Sequence, residues 1–205
     1  MRIRHLFVGL AMAFLAFSLH AQPVPYADEL NEIQSVLKDG RVSTGILLLN
    51  ELAEKLRDQQ KSTIGSFFPD RFGGFSENVT LEPLDKLDNP QDHFGVLFTK
   101  RYQNKQNHII DINVIYSDPA INEYANIIRN PKLVDKFENT AIIKVNQNYS
   151  ALEKFSEEEH YCERNVLVAE DLLLNIVGTG IRDREVFNQL CQKIDFAKLS
   201  RYLKN

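Results

Sequence analysis

The spacing of apolar positions changes character along the chain. Residues 26–38 place Leu30, Ile33 and Leu37 at helical spacing, and Lys38-Asp39-Gly40 ends the pattern. Ser43 or Thr44 is then expected to cap a second helix. Its stripe is Ile46, Leu49, Leu52, Ala53 and Leu56, with Glu51, Glu54, Lys55, Arg57 and Asp58 mostly on the other side. The two segments read as an antiparallel helical hairpin. It is like one unit of a helical repeat, but no second copy follows, and a solenoid needs about three repeats to bury its faces.

After Phe75 the period shortens. "NVTLEPL" reads as a strand interrupted by Pro83, and "DKLDNPQD" as a loop with an Asn-Pro turn. "HFGVLFTKRY" sends Phe94, Val96 and Phe98 to one face. "HIIDINVIY" does the same with Ile110, Ile112, Val114 and Tyr116, and polar "QNKQN" joins the two as a hairpin. "SDPAINEYANIIRNP" is a bounded helix: Ser117 or Asp118 caps it, Pro119 suits its first turn, and Asn130-Pro131 stops it. A short helix at "KLVDKF" is expected next. Three further strands follow: "TAIIKVNQNYSALEKF", with a bend near residues 146–148, then "ERNVLVAE" and "LLLNIVGTG" across a tight turn. The end is helical again. Val186, Phe187, Leu190, Cys191 and Ile194 form one stripe, and Asp195 caps "FAKLSRYL". Strands joined by short turns imply a mainly antiparallel sheet with helices over its apolar faces, an α+β fold.

The N-terminus adds a destination. Arg2 and Arg4 precede an apolar run at residues 6–19, followed by "SLHAQP". That pattern predicts a cleaved secretory signal at 1–21, because the run falls short of the roughly 20 residues that span a bilayer. The expected organisation is signal 1–21, helical hairpin 22–63 and α+β domain 64–205, in a periplasmic or secreted protein with no transmembrane segment once processed. Losing Arg2 and Arg4 makes the mature charge two units more negative than the chain's −4. With no Lys/Arg-rich run, nothing points to nucleic acid or anionic lipid.

From residue 67 to 203 the order of elements resembles the Mog1/PsbP-like family, which includes exported bacterial proteins. The carriers are the hairpin "HFGVLFTKRYQNKQNHIIDINVIY", the helix after "SDP", the strands at 140–178 and the closing helix. That resemblance implies helices against an antiparallel sheet and a binding or accessory role, and it transfers no site residue.

Catalytic signatures are absent: no G-x-S-x-G, H-E-x-x-H, C-x-x-C or P-loop occurs. "GTG" at 178–180 lacks the third glycine and the βαβ setting of a dinucleotide site, so no cofactor is expected. "EEEHYCER" gathers Glu157, Glu158, Glu159, His160 and Cys162, but a structural zinc wants four ligands and no second His/Cys pair occurs. The bland reading is an acidic turn between strands. His93 and His108 have no evident partner. Cys162 and Cys191 could pair in an oxidising compartment, whereas Cys191 on an apolar helix face could equally be a buried thiol.

"SFFPDRFGGF" concentrates Phe67, Phe68, Phe72 and Phe75 around Pro69, Gly73 and Gly74. The first expectation is that the rings wedge between hairpin and sheet. The second is that they form a binding site for a protein partner. The function expected overall is an exported, non-enzymatic binding or accessory protein, acting through a protein partner or a small apolar ligand. The alternative is a hydrolytic or thiol-dependent enzyme centred on His160 and Cys162.

Overall fold

The computed structural model describes residues 26–79 and 95–204. The expected signal at 1–21, His93, Phe94 and most of "NVTLEPL" lie outside them. By compactness the chain divides into two units, one ending at Lys55 and one starting at Leu56.

The first unit holds α1 (Ala27–Lys38) and the greater part of α2 (Val42–Gly65). α1 buries Ile33 and Val36, and Leu52 is the buried member of the α2 stripe within this unit. α2 starts a residue ahead of the expected Ser43 or Thr44 caps. Gly40, at φ +76°, makes the reversal between the helices.

The second unit is an α+β domain built on an eight-stranded antiparallel sheet. Its elements are β1 (Arg71–Phe72), β2 (Phe75–Glu77), β3 (Val96–Gln103), β4 (Ile109–Tyr116), α3 (Ala120–Arg129), a 3-10 turn (Pro131–Lys136), β5 (Thr140–Val145), β6 (Tyr149–Ser156), β7 (Tyr161–Ala169), β8 (Leu172–Thr179), α4 (Glu185–Lys193) and α5 (Phe196–Lys204). The sheet order is β1-β2-β3-β4-β8-β7-β6-β5. β8 therefore returns beside β4, and α3 with the 3-10 turn carries the chain to the far edge. Asp118 Oδ1 accepts from the Ala120 amide at 2.8 Å just ahead of α3, whose cap position is Pro119, and Asp195 Oδ1 accepts from Lys198 at 3.0 Å in α5, as expected of that cap.

Two local expectations are corrected. "TAIIKVNQNYSALEKF" is two strands, because Asn146 and Gln147 both take positive φ (46° and 63°) and close a tight hairpin between β5 and β6. A bulge between Val96 and Phe98 sets those residues opposite Ile115 and Val114, so Val96 and Phe98 do not share a face.

Each face of the sheet has its own chemistry. Ile110, Ile112, Val114, Leu174, Ile176 and Val166 pack with Phe187, Leu190, Phe196 and Leu199 of α4 and α5 into the main core. Gly178 is what allows that approach: a Cβ there would meet Phe187 and Ile181 at 2.6–2.9 Å. The opposite face carries Arg101, Asp111, Asn113, Asn165, Asn175 and Glu163, and α3 lies over its β6–β7 part.

Candidate functional site

The polar face is organised by strand register. Thr99, Asn113, Asn175 and Asn165 stand opposite one another in a row across β3, β4, β8 and β7. Thr99 Oγ1 donates to Asn113 Oδ1 at 3.0 Å, Asn113 Nδ2 to Asn175 Oδ1 at 3.1 Å, and Asn175 Nδ2 to Asn165 Oδ1 at 2.9 Å. Each amide thus satisfies the next, which is what half-buried polar groups require.

The row ends at Glu163. Its Oε1 accepts from Asn165 at 2.8 Å and Asn175 at 3.2 Å, and its Oε2 from the Tyr161 hydroxyl at 2.9 Å. These donors hold the carboxylate in one orientation. Burial, then the Glu163 hydrogen bond, raises the Tyr161 phenol, which keeps it a donor. One row along, Arg101 grips Asp111 through two bonds, Nε–Oδ1 at 2.6 Å and Nη2–Oδ2 at 2.8 Å.

Glu163 and Asn165 help to floor a cleft of about 430 Å³ beneath α3. Leu152 and Lys154 of β6 complete the floor. Tyr124 and Ile127 of α3 form one wall, and Phe137, half exposed after the 3-10 turn, stands with Thr140 at the other. Burial raises the Tyr124 phenol, with Glu163 and Glu123 adding to the effect. The cleft is thus an apolar slot with an oriented carboxylate in its floor, in the size range of small-molecule sites. Its charged lining is Glu123, Glu163 and Lys154, one net negative charge.

A second cavity, of about 500 Å³, lies between α4 and the β5 end of the sheet and is lined by Lys144, Arg164, Asn188, Cys191 and others. Its deepest group is committed internally. Arg164, 1% exposed, donates through Nε (2.9 Å) and Nη2 to Glu153 Oε2, and through Nη1 to Cys191 Sγ at 3.6 Å. Burial works against the Arg164 charge, but Cys191 and Glu153 outweigh it and the guanidinium stays ionised.

The residues singled out from sequence fall elsewhere. Phe68, Phe72 and Phe75 are buried in the main core, and Phe67 packs on its margin. Phe72 stacks on Phe75 (5.6 Å between centroids) and meets Tyr102 edge-on (4.9 Å); Phe68 stacks on Phe98, and Phe67 meets Tyr202. Gly73 and Gly74, at φ +48° and +85°, close the short hairpin that turns those rings inward.

Cys162 and Cys191 are both free and buried, so the disulfide left open by the sequence is not formed. Burial, then Glu153, pushes the Cys162 thiol up to about 12, the reverse of what a nucleophile needs. His160 sits in the acidic turn at φ 51° and not on the strand that carries Cys162, which removes the shared-face geometry. His108 closes the β3–β4 hairpin beside Asn104. Among the described residues no group of three His, Cys, Asp or Glu could hold a metal ion, and no helix is long and apolar enough to cross a membrane.

Sequence reading missed Glu163, Asn165, Lys154 and Tyr124. A signal was present: Asn113, Asn165 and Asn175 each interrupt an apolar strand with a residue that strands disfavour. No protein-family model, curated protein or solved structure matches this chain, so its chemistry must be read from its own geometry.

Proposed function

We propose that this protein is an exported, non-enzymatic binding module whose ligand lies in the cleft beneath α3. The ligand is a small amphipathic molecule with an apolar body between Tyr124, Ile127, Phe137 and Leu152. Its hydrogen-bond-donating or cationic end meets Glu163. The observation that carries this reading is an apolar slot floored by a carboxylate that three neighbours hold in place. One net negative charge in the lining favours an ammonium or hydroxyl end over a carboxylate. Export rests on the basic head and apolar run at residues 2–19, and the resemblance in element order to Mog1/PsbP-like proteins supports an accessory role over a catalytic one.

The test is an amide NMR titration with hexylamine, hexanol and hexanoate. Hexylamine and hexanol are expected to shift the amides of Tyr124, Ile127, Leu152, Glu163 and Asn165, with hexanoate binding more weakly. Glu163→Gln should lower hexylamine affinity about tenfold, the loss expected for one charge-assisted hydrogen bond. Shifts scattered over the surface, or equal binding of all three probes, would remove the proposal.

A further inference from the structure

Among the described residues, the helical hairpin carries a half-exposed apolar face. Ile33 and Val36 of α1 are buried, and Gly45, which abuts Leu37, and Leu52 mark the matching side of α2. The Glu29–Lys55 ion pair, 3.7 Å, brings the other end of the two helices together. At about 100° per residue, Leu30 and Leu37 lie roughly a quarter turn from Ile33 and Val36. Val42, Ile46 and Leu49 lie a quarter turn from Gly45 and Leu52 in the same sense. Because the helices run antiparallel, both displacements fall on one side of the hairpin. All five side chains are 40–56% exposed.

We propose that this face is a self-association surface, on which two copies of the chain pair hairpin to hairpin as a four-helix bundle. The inference is independent of the cleft. A two-helix layer has one apolar side to spare, and an identical hairpin supplies a complementary layer of the same length and helical spacing. The rim permits like to meet like. Helical phase puts the neutral amides Gln34 and Asn50 beside the apolar face and turns Asp28, Glu32 and Glu51 away from it. The area sets the strength. Five half-exposed aliphatic side chains offer on the order of 400 Å² per copy, about 800 Å² across a symmetric pair, which is the scale of a dissociable contact.

Sedimentation equilibrium of the purified protein from about 5 to 500 µM tests this, bracketing a dissociation constant on the order of tens of micromolar. The wild type is expected to pass from monomer to dimer across the series. Ile46→Glu should weaken the dimer at least about tenfold by burying a charge in the seam. Val42→Glu should do the same at a first-turn position where an acid suits the helix, so that loss of dimer is not loss of fold. Leu47→Glu, at a residue 63% exposed on another side of α2, should leave the dimer unchanged. A wild type that stays monomeric throughout, or a dimer indifferent to Ile46→Glu and Val42→Glu, overturns the proposal.

Discussion

The deepest charges in the described chain are a matched pair. Glu153 is 2% exposed and Arg164 1%, and Arg184 reaches the free side of the carboxylate at 3.6 Å. A buried pair adds little stability over a well-packed apolar pair, but losing one partner strands the other charge. Glu153→Gln should therefore cost about 3–5 kcal/mol in urea unfolding, whereas Glu153→Leu combined with Arg164→Met should cost less than either single change. An additive double mutant would show that the two do not act as a unit. The thiols beside them are equally enclosed, so neither should react with a disulfide reagent near neutral pH until the protein unfolds. None of this was legible from "SALEKF" and "ERNVLVAE", where Glu153 and Arg164 look like ordinary solvent positions of alternating strands. They meet because β6 and β7 pair in the register that sets them opposite each other, on the face that α4 covers.

Element by element, legibility followed how locally each signal was written. α3 was readable because an Asp that accepts from its first amide, an early Pro and a closing Asn-Pro bracket its apolar stripe. The β5–β6 turn was readable only as a bend near residues 146–148, since Asn146-Gln147 carries no glycine to mark the left-handed pair that ends one strand and starts the next. The phenylalanine segment was half readable. Its turn was marked by Gly73-Gly74, but the destination of its rings depends on β1 lying against α4 and on Tyr102, whose hydroxyl donates to Pro69 O at 2.7 Å. Phe72→Ala should lower stability by about 3–5 kcal/mol, read from a denaturant midpoint, because it empties a closed aromatic stack. A near-neutral change would return Phe72 to the role of a surface anchor.

At the scale of the whole molecule, burial of weakly acidic groups sets a direction of pH dependence. Tyr102, Cys162 and Cys191 are all raised by burial first. The folded chain thus holds these protons more tightly than the unfolded chain, whose thiols ionise near pH 8.5. The associated stability is complete below that value and declines as pH rises toward the folded Cys162 value of about 12. Urea midpoints should fall steadily from about pH 8.5 upward, and Cys162→Ala should flatten the early part of that slope. A flat profile for the wild type would contradict the burial argument. What the sequence determined by itself was the alternation that makes strands, the stripes that make helices, and hence an α+β fold, because each of those signals spans only a few neighbouring residues. The tertiary structure alone decided which polar strand positions face one another. Thr99, Asn113, Asn175 and Asn165 come from four different strands and become one hydrogen-bonded row, ending at Glu163, only when β3, β4, β8 and β7 settle into register.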